Sequence, residues 1–229
     1  MKALLLDLDG TLLDHRAAAD AAISAWCAGV LPPERVPADL AARWAMLEEH
    51  HVSRVERGEI DFRAARRDRL AELLAHLGLP HREDDALDAA FGELAQHYEL
   101  SWSFYDDVTA AFDAWRLAGV RIGMVTNGVR EQAVRKLTML DIADEVGCLI
   151  TVDDLGIGKP DPRVFHAACA ALGVAPDQAV YVGDDVARDA VGASAAGLTG
   201  VWLDRFDSEV PPGVDVVVRD LSEVLPLLR

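Results

Sequence analysis

Four short stretches of this 229-residue chain combine residue types that could do chemistry on a charged substrate. The first, Asp7-Leu8-Asp9-Gly10-Thr11, sets two carboxylates two residues apart, followed by a glycine and a hydroxyl. In extended backbone alternate side chains share a face, so Asp7 and Asp9 are expected to converge on one point as Gly10 turns the chain away. Carboxylates that close shift each other's pKa unless a cation sits between them, and a hard, oxygen-seeking metal ion is the natural complement. Asp and Gly are also common where strands simply end in solvated turns. The second stretch, Thr126-Asn127-Gly128, offers a hydroxyl, an amide and backbone N–H groups ahead of a predicted helix N-terminus. That is half a phosphate cradle, or an ordinary capped turn.

The third, Gly156-Ile157-Gly158-Lys159-Pro160-Asp161-Pro162, presents one lysine with prolines restricting the backbone after it. It is no nucleotide P-loop: Asp153 stands where the first glycine is required and Pro160 replaces the Ser or Thr. Lys159 would act as a point charge. In the fourth, Gly183-Asp184-Asp185, carboxylates again follow a glycine, and Asp189 lies one helical turn beyond Asp185.

The elements that must position these residues read as alternating strands and helices. Leu4 to Leu6 is an apolar run of the kind a strand shows when buried on both faces. From Val108 the chain predicts helix to Ala118, strand over 120–125, helix over 130–140, strand over 148–152, helix over 163–172, strand over 179–182, helix over 185–196 and strand over 199–203. A last strand over 214–218 precedes a short terminal helix. Repeated βα units of this length specify an α/β fold, a mainly parallel sheet with helices on both faces. Ligands bind such sheets beyond the carboxyl ends of the strands, which is where all four stretches fall. Residues from about 16 to 99 differ: Ala-rich segments at 16–28 and 38–57, a helix capped by Asp61 and stopped at Gly78, and a fourth helix after Glu83-Asp84-Asp85 make a helical bundle.

Composition narrows the partners. A net charge of -17, from 39 acidic and 22 basic residues, repels nucleic acid and anionic membranes. An anionic substrate therefore needs a local device, such as a divalent metal with a few cations. Lys2, Lys136 and Lys159 are the only lysines, so each is conspicuous. Cys27, Cys148 and Cys169 are odd in number and lack CxxC spacing, which suggests core residues and neither a disulfide framework nor a zinc site. The N-terminus shows no signal peptide and no run long enough to span a membrane, so a cytoplasmic protein is expected.

Taken in order, these stretches resemble the four motifs of the haloacid dehalogenase-like (HAD) hydrolase superfamily, at residues 7–11, 126–128, 159–162 and 183–189. The resemblance implies a Rossmann-like core over 1–14 and 101–229, with an inserted α-helical cap of the C1 type over 15–100. It also implies magnesium-dependent hydrolysis of a small phosphomonoester. Asp7 would be the nucleophile that forms an aspartyl-phosphate, and Asp9 the general acid and then base, oriented by Thr11. Asp7, the main-chain carbonyl of Asp9 and Asp184 would hold Mg2+, with Asp189 and Asp185 holding its waters. Lys159 would offset charge, while Thr126, Gly128 and the backbone N–H groups of Leu8 and Asn127 grip the phosphate. Members that displace halide lack an aspartate two residues after the nucleophile, so Asp9 favours phosphate-ester hydrolysis. A sugar phosphomutase keeps both aspartates and stays open; a receiver-like phospho-acceptor is about half this length. In the cap, Arg54 and Arg57 could touch substrate, His15 could lie at the hinge, and His50 and His51 read as structural or surface residues. Trp26, Trp44, Trp102 and Trp115 read as core or domain-seam anchors. Monomer and homodimer are both left open.

Overall fold

The computed structural model describes residues 2–229, which divide into two compact units. The first comprises residues up to Asp14 together with Phe104–Arg229; the second is His15–Ser103.

The first unit begins with β1 (Ala3–Leu6), and the second contributes α1 (His15–Val30), α2 (Leu40–Glu56), α3 (Phe62–His76) and α4 (Asp84–Leu100). The chain then returns to the first unit with α5 (Val108–Leu117), β2 (Ile122–Val125), α6 (Arg130–Met139), β3 (Val146–Ile150), α7 (Val152–Leu155), α8 (Pro162–Leu172) and β4 (Ala179–Gly183). A π-helical turn (Val186–Val191), α9 (Gly192–Ala195), β5 (Thr199–Leu203), β6 (Val217–Val218) and two terminal 3-10 turns follow. All neighbouring strands pair in parallel, in the order β3-β2-β1-β4-β5-β6. This is the α/β parallel sheet expected from the alternation of elements.

β1 sits inside the sheet and is buried on both faces. Leu4 and Leu6 pack into one cluster with Val108, Phe112 and Trp115 of α5 and Leu137 of α6. Leu5 points the other way, into a cluster with Val164, Phe165 and Cys169 of α8 and Ala193 of α9. Each fully buried leucine contributes about 1.5–3 kcal/mol, so the strand that delivers Asp7 is firmly anchored. α5 is held there by its spacing: Val108, Ala111, Phe112 and Trp115 follow the i, i+3, i+4, i+7 rule and are all buried. The register pairs Leu6 with both Met124 and Val182, which brings the ends of β1, β2 and β4 to one level.

Several boundaries differ from the sequence reading. β3 starts at Val146 and stops at Ile150, because Thr151 caps α7: Asp154 Oδ2 accepts from the Thr151 N–H and hydroxyl, both at 2.8 Å. The expected helix over 185–196 is instead a π turn followed by the single turn of α9. β6 is only two residues long.

The second unit is a four-helix assembly with its own core, in which Ile23, Trp26, Trp44, Leu70, Leu73, Leu87 and Leu94 pack together. Asp61 caps α3 as expected, accepting from the Ala64 N–H at 2.7 Å. In this unit the buried Arg69 belongs to one group of charges. Glu48 accepts from Arg69 Nη1 at 2.7 Å and lies 3.3 Å from His15 Nε2, and His15 Nδ1 meets the Tyr98 hydroxyl at 2.8 Å. The Arg69 guanidinium stacks 3.5 Å over Trp44. Among the described residues no helix is long and apolar enough to cross a membrane.

Candidate active site

The carboxyl ends of β1, β2 and β4 hold a knot of charge. Asp7 follows β1 directly and is only 4 % exposed; its N–H donates to the Val182 carbonyl, which fixes it against β4. Lys159, also 4 % exposed, places Nζ 2.5 Å from Asp7 Oδ1 and 2.6 Å from Asp189 Oδ1. Thr11 Oγ1 lies 3.3 Å from Asp7 Oδ2 and 3.4 Å from Asp184 Oδ1. Asp7, Asp184 and Asp189 each offer an oxygen within 4.8 Å of the others. Gly10, at φ +86°, turns the chain beside them, and a Cβ there would run into the Asp184 carboxylate.

Three carboxylates crowd round one lysine, and the protonation of Asp7 and Asp184 reflects it. Burial pushes the Asp7 carboxyl up to about 7; Lys159 opposes the rise, while Asp189 and Asp9 add to it. Asp184, open to solvent on one side, is raised well above the ordinary range by desolvation and then by the charges of Asp7 and Asp189. Burial works against the charge of Lys159, but Asp189 and Asp7 outweigh it and hold the ammonium above its usual range. A hard divalent cation among these oxygens would relieve the excess negative charge, so the donor set fits such an ion.

The surrounding residues lock this arrangement. Asn127 clamps the lysine loop with two bonds: its Oδ1 accepts from the Lys159 N–H at 2.7 Å and its Nδ2 donates to the Lys159 carbonyl at 2.9 Å. Asp189, on the π turn, accepts from the Asp185 N–H at 3.0 Å, and its Oδ1 lies 3.1 Å from the Tyr181 hydroxyl. Trp202 of β5 donates its indole N–H to the Asp184 carbonyl at 2.8 Å. Asp185 caps the π turn, bonded to the Arg188 N–H and guanidinium at 2.7 Å each.

Several sequence expectations need correction. The Asp9 carboxylate does not join the trio: the chain leaves extended backbone after Leu6, so strand alternation no longer applies, and Asp9 Oδ1 instead meets Lys136 Nζ at 2.5 Å. Thr11, expected to orient Asp9, lies against Asp7 and Asp184. The Gly128 N–H, expected to face phosphate, donates to Thr126 Oγ1 at 3.0 Å, a side-chain turn that Thr favours. Leu8 buries its side chain in the core, and its carbonyl accepts from Leu12 and Leu13.

A family model for haloacid dehalogenase-like hydrolases matches residues 1–197. The chain belongs to that family. Among proteins of known activity, this HAD-like hydrolase is similar to a phosphoserine phosphatase from Thermus thermophilus, 32% identical over 260 residues and 98% of each chain. It is also similar to (S)-2-haloacid dehalogenase 4A from Burkholderia cepacia, 35% identical over 65% of this chain and 64% of the other. A solved HAD-hydrolase, YfnB from Bacillus subtilis, superposes with a TM-score of 0.83 over 99% of this chain and 98% of that one; at 20% identity it speaks for the fold alone.

Outside the carboxylate knot, the HAD-like chain gathers His50, His51 and Glu72 in the helical unit. Arg54 Nη1 lies 3.1 Å from His51 Nδ1, so Nδ1 is the accepting nitrogen and Nε2 carries the proton that faces Glu72 at 3.2 Å. Arg54 and Arg57, the arginines considered for substrate contact, pair with acids of their own unit: Arg54 with Asp68 at 2.9 Å and Arg57 with Glu59 at 2.5 Å. The three cysteines are free, with Cys27 and Cys169 buried. Sequence reasoning missed Tyr181, Trp202 and the role of Lys136; the scarcity of lysine was the one available signal.

Proposed function

We propose that this chain is a phosphatase of small phosphomonoesters that works through an aspartyl-phosphate on Asp7 with magnesium as its cofactor. The observation that carries the reading is a second carboxylate, Asp9, two residues beyond a buried, lysine-paired Asp7 and held by its own cation. Displacement of halide needs no proton for a leaving alcohol; cleavage of a phosphate ester does. The similarity to phosphoserine phosphatase over nearly the whole chain agrees with this reading.

In the first step an Asp7 oxygen forms a bond to phosphorus as the ester P–O bond breaks, and Asp9 delivers its proton to the departing alkoxide. In the second, Asp9 takes a proton from water as the water oxygen attacks phosphorus, releasing phosphate and restoring Asp7. Lys159 keeps Asp7 oriented through a 2.5 Å contact and offsets charge that builds on the phosphoryl oxygens. The Thr126 hydroxyl, beyond β2, and the Asn127 backbone serve the same oxygens, while the Asn127 side chain holds Lys159 in place. Asp7, the main-chain carbonyl of Asp9 and Asp184 would hold Mg2+, which neutralises the phosphoryl charge when bound. Asp189 supports this set through Lys159 and the Asp185 N–H.

The test is phosphate release with Mg2+ over sugar phosphates, nucleoside monophosphates, phosphoserine and phosphoglycolate, by the wild-type chain and by Asp7→Asn. Release by the wild type and none by the folded variant is expected. Retained turnover in Asp7→Asn, an isomeric sugar phosphate in place of free phosphate, or halide release from 2-haloacids in place of both would overturn the reading.

A further inference from the structure

The mechanism leaves a buried cation of the α/β unit, Lys136, without a role. Lys136 is one of three lysines in the chain and sits in the last turn of α6, where a lysine ordinarily reaches solvent. It is instead 2 % exposed, and its ammonium meets Asp9 Oδ1 at 2.5 Å across 127 residues of sequence. Burying an ammonium is costly unless it is paired, and a pairing that only held α6 to the sheet could be replaced by apolar contacts such as those of its neighbours Ala133 and Leu137. The partner, Asp9, is not one of the two carboxylates, Asp7 and Asp189, that Lys159 binds. This contact fixes one oxygen of a side chain that has two rotatable torsions. Its other oxygen, Oδ2, faces the β2 turn, where a Cβ on Gly128 would lie 3.7 Å from it.

We infer that Lys136 is a positioning residue: by gripping Asp9 Oδ1 it aims Oδ2 at the ester oxygen that leaves and at the water that attacks. The inference rests on the phosphatase reading, and its consequence is selective. A proton from Asp9 matters for an alkoxide leaving group and little for nitrophenolate, which departs without one. Loss of Lys136 therefore harms hydrolysis of alkyl phosphates far more than of p-nitrophenyl phosphate, when kcat/KM reports the step that breaks the ester bond.

The experiment compares wild type, Lys136→Met, Asp9→Asn and the double variant on glycerol phosphate and p-nitrophenyl phosphate with Mg2+. General acid catalysis contributes about 10²–10⁴-fold, so misplacing the acid is expected to lower kcat/KM for the alkyl ester roughly 10- to 100-fold. The aryl ester is expected to lose less than about threefold, because its bond breaks without a proton. In the Asp9→Asn background the lysine substitution adds nothing further, since it acts through Asp9. Equal losses on both esters, additive losses in the double variant, or no loss would each overturn the proposal. If Lys136→Met fails to fold, Lys136→Ala, which is too short to reach Asp9, carries the same comparison. Absence of any wild-type hydrolysis would instead defeat the phosphatase reading, so the two failures are distinct.

Discussion

Replacing Lys159 with methionine is expected to destabilise the α/β unit severely, and the structure sets the size and pH dependence of the loss. Asp7, Lys159 and Asp189 are 4 %, 4 % and 1 % exposed, and the ammonium spans the two carboxylates at 2.5 and 2.6 Å. Removing one partner of a buried ion pair costs about 3–5 kcal/mol, because the remaining charge is stranded. At roughly 2–4 °C per kcal/mol for a chain of this size, the unit should lose about 6–20 °C in Tm by calorimetry in EDTA. The Asp7 carboxyl already sits at about 7 with the lysine present. A carboxyl raised in the folded state contributes stability below its unfolded value of 3.8 and loses it as pH rises through the folded one. Without the opposing lysine that rise grows, so the gap between wild type and variant is expected to be wider at pH 8 than at pH 5.5. Asp189→Asn should restore part of the loss. The amide introduced there can accept from the Asp185 N–H and donate to the Tyr181 oxygen, because the Tyr181 hydroxyl lies 3.0 Å from the Val125 carbonyl and can donate to it. A Tm loss below about 2–4 °C, a gap that widens at acid pH, or a further loss on adding Asp189→Asn would refute this electrostatic account.

Two further perturbations probe the turn beside the carboxylates and the buried charges of the helical unit. Gly10→Ala forces a side chain into the left-handed region at φ +86° and against the Asp184 carboxylate, and is expected to cost about 1–2 kcal/mol. Displacing a ligand in this way should raise the Mg2+ concentration for half-maximal phosphate release by about 10- to 100-fold; an unchanged magnesium requirement would show that Asp184 is no ligand. Glu48 is drawn down from 4.5 to about 2: burial resists the shift, but Arg69 and then His15 prevail. A depressed carboxyl contributes stability above pH 4.5 that is lost as pH falls towards 2, here about 3 kcal/mol at most with 28% of the side chain exposed. Glu48→Gln should therefore be less stable than wild type at pH 6 and equal to it near pH 2, and a gap independent of pH would rule this out.

What could be read from the chain depends on how local the governing physics is. The strands were legible because Leu4-Leu5-Leu6 and Val180-Tyr181-Val182 are buried on both faces, and a doubly buried strand is apolar throughout. Their polar ends were legible because an Asp or Thr breaks the apolar run at that point, and the parallel register then brings those ends to one level. Directions of side chains past the strand end were not legible. Alternation aimed Asp7 and Asp9 at one point, whereas each faces its own lysine once the backbone leaves the strand. The π turn had no signature either, since donation to the fifth residue back instead of the fourth changes no residue type; yet Ala190 donates to the Asp185 carbonyl in this way while Asp189 meets Lys159. Lys136 shows the same limit from the opposite side. Its neighbours on α6 satisfy the amphipathic pattern without it, and only a partner 127 residues away explains a buried ammonium there. The site's most specific contacts thus join distant parts of the chain: Asp7 with Lys159, Asp9 with Lys136 and Thr11 with Asp184. Each demands that several strands already be in register, so the carboxylates crowd together only as the sheet completes, and the burial of β1 supplies the free energy that holds like charges at such short range.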